Sequence, residues 1–150
     1  MDNRNEVPMP TLPTDWPQLS SAVFYDDAHA AIAWLCEAFG FEVGMVVEGE
    51  NGEVIHSELD YGRARIMVGS TNRPKFASPR TLGGKNTQSV FIYVEDVDQH
   101  CARARAHGAV IVDEPKDSDY GEDLWADRSY GCEDLEGHHW WFSHRVRSRA

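Results

Sequence analysis

Ser20-Ser21-Ala22-Val23-Phe24-Tyr25-Asp26-Asp27 returns sixty-nine residues later as Ser89-Val90-Phe91-Ile92-Tyr93-Val94-Glu95-Asp96. Each copy is a short run of β-forming residues that ends on an acid, and after each comes a stretch with apolar residues at helical spacing. Both stretches stop at a glycine: Gly40, thirteen residues past Asp27, and Gly108, twelve residues past Asp96. The chain therefore reads as two copies of one strand-helix unit, and a repeat this long predicts two similar half-domains, not a solenoid. Asp27 and Asp96 are good N-caps, because their carboxylates can accept from the free amides of the first turn. Ala28, Ile32, Leu35, Cys36 and Phe39 then share one face of the first helix, and Val97, Cys101 and Ala104 form the stripe of the second.

Both helices are followed by strand-like runs broken by turn residues. Glu50-Asn51-Gly52 is a hairpin signal, and Asp60-Tyr61-Gly62 separates two further runs. Residues 70–88, rich in Ser, Asn, Pro, Gly and Lys, read as the linker between modules at about 18–72 and 87–145. Residues 1–17 carry Pro8, Pro10, Pro13 and Pro17, a density that forbids a continuous helix or central strand, so they read as a flexible arm with Trp16 as an anchor. Residues 18–150 then form a single domain. In the second copy Val90, Ile92 and Val94 alternate with Ser89, Phe91 and Tyr93, so the aliphatic set packs on the helix and the other set faces a groove. By the repeat, Ser20, Ala22 and Phe24 face that groove from the first half. The expected architecture is α+β, paired βαβββ modules whose mixed sheet curls around a groove.

Composition narrows the function. A hydrophobic fraction of 41% and a charged fraction of 26% are ordinary globular values, which excludes disorder throughout. No apolar stretch approaches the roughly 20 residues of a membrane span, and the N-terminus has no apolar core of a secretory signal, so a cytoplasmic protein is expected. A net charge of −11 disfavours nucleic acid, whose affinity comes from neutralising phosphate with Lys and Arg. Cys36, Cys101 and Cys132 are odd in number and without a CxxC pair, which argues against a disulfide framework or a structural zinc site.

Asp27 through Trp34-Leu35 and Ala38-Phe39-Gly40-Phe41 resemble the first-helix segment of the vicinal oxygen chelate superfamily, which includes glyoxalase I, extradiol dioxygenases and bleomycin-resistance proteins. Trp125-Ala126-Asp127-Arg128, Asp134-Leu135-Glu136-Gly137-His138 and His139-Trp140-Trp141-Phe142 resemble the C-terminal ending of a glyoxalase-like branch. The resemblance covers residues 19 to about 144 and implies paired βαβββ modules, commonly in a homodimer, with the modules meeting inside one chain or exchanged between two. It also implies a divalent metal held by four side chains on the inner strand faces, at positions that fall here on Ser20, Met67, Ser89 and Trp141. Ser hydroxyls are weak ligands, the Met thioether is soft, and indole offers only a donor N-H, so no cofactor is expected at that set. Trp141 also stands where the resemblance places the proton-moving glutamate of glyoxalase-type isomerisation.

The groove is expected instead to be lined by Phe24, Met67, Phe91, Tyr93 and Trp141, with Arg65, Arg128, Tyr130 and His139 as polar groups, the make-up of a small-molecule pocket. The same side chains would equally fill the interior of a small closed sheet. A divalent metal remains possible only at a displaced, non-standard site built from His56, Glu58 and His139, although no known ligand spacing supports their convergence. His138, after Gly137, is read as fixing its loop through a backbone hydrogen bond, and Arg128 as clamping a ligand carboxylate or pairing with Asp127 or Asp134. Acids from Asp117 to Asp127 around Tyr120 and Trp125 would suit a cationic ligand. Three readings follow: metal-independent binding of a small aromatic or cationic molecule, by sequestration as in bleomycin-resistance proteins; a lyase, isomerase or dioxygenase of the superfamily, metal-dependent or metal-free, with a relocated site; and a dimeric interaction module without ligand.

Overall fold

The computed structural model describes residues 8–149. The elements run β1 (Ser21–Tyr25), α1 (Ala28–Phe39), β2 (Glu42–Glu48), β3 (Val54–Tyr61), β4 (Ala64–Ser70), a 3-10 turn (Pro79–Thr81), β5 (Val90–Tyr93), α2 (Val97–Ala106), β6 (Val110–Asp119), β7 (Ala126–Glu133) and β8 (His139–Arg147). The order βαβββ thus occurs twice. The sheets are β1-β4-β3-β2 and β5-β8-β7-β6, each with one parallel pair, β1 with β4 and β5 with β8, and otherwise antiparallel. This is the α+β architecture expected, with the sheet in two four-stranded halves.

The caps form where the acids predict. Asp27 Oδ1 accepts from the amide of Ala30 and Asp96 Oδ1 from that of Gln99, both at 3.1 Å. Gly40 closes α1 in the left-handed conformation at φ 86°, which a residue with a Cβ would adopt only at a cost. Leu35, Ala38 and Phe39 of α1 are fully buried, as are Val97 and Ala104 of α2, while Cys36 is only half-buried.

One core joins the modules. The Phe39 ring meets those of Trp140 and Phe142 at centroid distances of 5.2 and 4.7 Å, carrying α1 onto β8. Burial of this kind makes truncating such a ring cost about 3–5 kcal/mol. His100 of α2 is buried beside them. Its Nε2-H donates to the Phe39 carbonyl at 2.8 Å, so its Nδ1 accepts from the Tyr130 hydroxyl at 2.5 Å. Burial pushes the His100 pKa below the usual imidazole value, keeping the neutral form this pattern needs.

A second fastening sits at the end of β1. The Glu136 carboxylate accepts from the backbone amides of Asp26 and Asp27 at 2.8 and 3.0 Å, just ahead of α1, where an anion also meets the positive end of the helix. Buried Asp134 accepts from Tyr25 Oη at 2.7 Å, from Trp140 Nε1 at 2.9 Å, and from the amides of Glu136 and His138 at 3.0 Å. His138 Nε2 donates to the Phe24 carbonyl at 2.7 Å. The backbone bond expected of His138 is present, and its acceptor belongs to the other module. Among the expected arm, residues 1–7 lie outside the described residues; residues 8–17 form no helix or strand, and Arg65 lies over the Trp16 ring at 4.8 Å. No helix of the described residues is long and apolar enough to cross a membrane.

Candidate functional site

Strand alternation sorts side chains between the helix side and the open side of each sheet. Val23 and Tyr25 of β1, Ile66 and Val68 of β4, Ile92 of β5, and Trp140 and Phe142 of β8 are buried on the helix side. Their alternates Phe24, Arg65, Met67, Phe91, Tyr93, His139 and Trp141 stand on the open side, half-buried or exposed. Two expected site residues do not join them. Tyr130 is fully buried against His100 and Phe142, and its phenol is driven far above its ordinary pKa by that burial. Arg128 also points to the helix side, pairing with Asp98 of α2 at 2.9 Å and with Asp117 at 3.1 Å. The acids proposed for it are engaged elsewhere, Asp127 by Arg145 at 2.6 Å and Asp134 in the core.

The edges β1 and β5 face each other across a seam that no ladder bridges, and a cavity opens at each end of it. The larger of these two holds about 500 Å3 and lies under residues 75–88, within the span of roughly 300–1,000 Å3 usual for ligand pockets. Phe24 and His139 line it from the strands; Phe76, Leu82, Lys75 and Lys85 line it from the connection. The Phe24 and Phe76 rings stack at 4.0 Å and 23°, with the Arg73 guanidinium 5.6 Å from the Phe24 centroid. Among the described residues no carboxylate lines this cavity. At the other end, Arg65 and Phe91 border a cavity of about 380 Å3. Arg65 is held there by Asp60 through Nε at 2.6 Å, and the same contact holds the Asp60 carboxyl below its ordinary pKa.

The remaining expected residues lie along the open faces. Tyr93 Oη donates to Asp127 Oδ2 at 2.8 Å and accepts from Arg145 Nη2 at 2.6 Å. Trp141 lies against β7 at Gly131, where a Cβ would come within 2.8 Å of its ring. The His139 ring stands 4.7 Å from it, and His139 Nε2 is buried without a hydrogen-bond partner. Met67 pairs in register with Ala22 of β1 and Glu58 of β3.

A family model for the Glyoxalase/Bleomycin resistance protein/Dioxygenase superfamily matches residues 18–142, a span that takes in both modules and the connection. The chain belongs to this superfamily. TioX from Micromonospora sp. ML1 is 34% identical in its crystal structure, covering 85% of this chain and 98% of that one, with a TM-score of 0.66. The uncharacterized protein Rv0887c of Mycobacterium tuberculosis H37Rv is 33% identical over 136 residues, 87% of this chain and 76% of that protein. A glyoxalase/bleomycin resistance protein/dioxygenase from Alicyclobacillus acidocaldarius shares the fold at 11% identity and a TM-score of 0.60, over 90% of this chain and 96% of its own.

The superfamily's metal positions do not fit a metal here. Ser20 Oγ donates to the Arg65 carbonyl at 2.7 Å, so even this weak ligand is engaged by the main chain. Met67 and Trp141 bring a thioether and an indole to the open face, neither suited to a hard divalent ion. Among the described residues no three His, Cys, Asp or Glu side chains group as a metal site. His56 Nε2 stands 3.2 Å from Glu58 Oε1 on β3, while His139 belongs to the other sheet.

The sequence reads residues 70–88 as a connection, so it gives no place to Phe76, Leu82, Lys75 and Lys85, which line the larger seam cavity. Two signals mark it in hindsight: Phe76 is the single aromatic between residues 70 and 88, and two of the chain's three lysines fall there.

Proposed function

We propose that this superfamily member binds a small, flat aromatic molecule in the larger seam cavity and sequesters it without a metal. The observation that carries this reading is the Phe24–Phe76 stack, a strand residue and a connection residue forming one aromatic wall. A planar ligand extends such a stack, gaining apolar burial and roughly 0.5–1.5 kcal/mol of ring-ring contact. The cationic alternative lacks support in this cavity, since lysines line it and carboxylates do not.

Calorimetric titration with 1-naphthamide tests the reading. Saturable binding to the wild type that weakens several-fold in Phe76→Ala supports it. Failure of 1-naphthamide and of a panel of other flat aromatics to bind by ligand-observed NMR overturns it.

A second reading, an enzyme with a relocated site, has one observation in its favour, the buried and unpartnered Nε2 of His139. Elemental analysis tests its metal-dependent form. Stoichiometric metal that is lost in His139→Ala favours that enzyme; metal-free protein removes it. The reading further includes a homodimer, supported by β2, an edge strand whose seven residues are all exposed and include Val43, Met45, Val46 and Val47. Sedimentation equilibrium tests this. A cytoplasmic site of action agrees with three free cysteines.

A further inference from the structure

We infer that the larger seam cavity selects an aromatic anion, a flat ring system carrying a carboxylate or a comparable single negative charge, with Lys75 and Lys85 as its charge partners. The inference deepens the aromatic-ligand reading and rests on it.

The chain carries 25 Asp and Glu against 14 Lys and Arg. A cavity wall holding two lysines and no acid is therefore a local reversal of the overall charge. Six arginines, Arg65, Arg80, Arg105, Arg128, Arg145 and Arg147, are each ion-paired with a carboxylate. Among the described residues Lys75 and Lys85 have no such partner. The acids around the end of β1 do not supply one. Asp26 is taken by the Thr71 hydroxyl at 2.6 Å and by Arg80 at 3.0 Å. Glu136 is taken by the amides of Asp26 and Asp27, with Arg80 Nη2 at 3.6 Å.

Two neutral polar side chains of the wall are already committed to the backbone. His138 turns its Nε2-H away to the Phe24 carbonyl, and the Asn86 carboxamide donates through its nitrogen to the Gly137 carbonyl and accepts through its oxygen from the His139 amide. The wall's uncommitted charges are thus cationic, on long stems that can follow a ligand of varied outline. The Phe24–Phe76 stack holds the ring, and the ammonium groups sort ligands by charge.

The test uses one ring system at three charges: 1-naphthoate, 1-naphthamide and 1-naphthylmethylammonium, titrated into the whole chain by calorimetry at low salt. Naphthoate should bind most tightly, about three- to tenfold better than the amide, since two exposed charge contacts are each modest. That advantage should shrink at about 0.5 M salt. In Lys75→Gln/Lys85→Gln naphthoate and naphthamide should bind alike, and Lys116→Gln, on β6, should leave the preference intact. Equal binding of all three by wild type overturns the charge inference while the aromatic reading survives. Tightest binding of the ammonium, or an anion preference unchanged in the double variant, also overturns it. If none of the three binds and the aromatic panel fails with them, the aromatic reading falls first. Circular dichroism verifies that each variant is folded.

Discussion

Phe24 and Tyr93 occupy equivalent places in the two copies of the repeat, each standing on the open face of its sheet, yet their surroundings have diverged. Phe24 is roofed by Phe76 and borders a cavity. Tyr93 is locked by its hydroxyl to Asp127 and Arg145, with the Arg145 guanidinium also 5.3 Å from its ring centroid. A single oxygen separates the two side chains, and it decides what each position can do. The apolar ring leaves its face available to another ring, whereas the phenol completes a polar network. The helices differ in the same sense: α1 is largely apolar, while α2 carries Arg103 and Arg105 in its last turn and pairs outward. The first module contributes an apolar ring to the cavity wall, and the second contributes fastening.

The largest effect should come from the fastening. Asp134→Ala leaves Tyr25 Oη, Trp140 Nε1 and two amides without their acceptor. We expect a loss of about 3–5 kcal/mol in urea unfolding, the usual result of stripping a buried charged hub from its partners. A loss below about 1 kcal/mol would mean that the modules are held by the ring core alone.

His100→Phe comes next, at about 1–3 kcal/mol, because the Phe39 carbonyl and Tyr130 hydroxyl lose their partner. This site has a pH signature. Folding lowers the His100 pKa, so near and below the ordinary imidazole value of 6.5 the unfolded chain binds the proton that the folded chain refuses. Stability from this group is present above that pH and declines as pH falls toward the folded-state value. Urea midpoints measured from pH 8 downward should show this decline in the wild type and a smaller one in His100→Phe.

Tyr93→Phe makes the second module resemble the first, and should cost about 0.5–1.5 kcal/mol by removing one hydroxyl from the Asp127–Arg145 pair. Phe24→Ala should have the smallest effect on stability of the equivalent pair relative to its effect on binding. Naphthalene-ligand affinity should fall several-fold through the lost ring contact, and a fall of equal size in Tyr93→Phe would erase the contrast between the modules.

Much of this contrast was legible in the sequence. Alternation placed Phe24, Phe91 and Tyr93 opposite Val23, Ile92 and Val94, because a half-buried strand has only two faces and the aliphatic set identifies the inner one. The same logic, applied along β7, puts Arg128, Tyr130 and Cys132 on one side and Asp127, Ser129 and Gly131 on the other. Buried Cys132 marks the first set as inner, and the assignment of Tyr130 to the groove overlooked that parity. Residues 70–88 escaped for a different reason. A segment without periodic structure carries no pattern that says which way its side chains turn, so Phe76 and the two lysines became visible only with their positions.

The Asp134–His138 turn joins the modules through hydrogen bonds made directly to β1 and the start of α1, beside those that Arg80 and Asn86 of the connecting segment add to the same turn. That segment is then a removable panel more than a tether. Protease scission at exposed Gly83 and Gly84 should yield two fragments that stay associated and keep their secondary structure, while the Phe24–Phe76 stack loosens. Fragment complementation, each half expressed separately and mixed, becomes a practical way to build the scaffold with one panel exchanged for another.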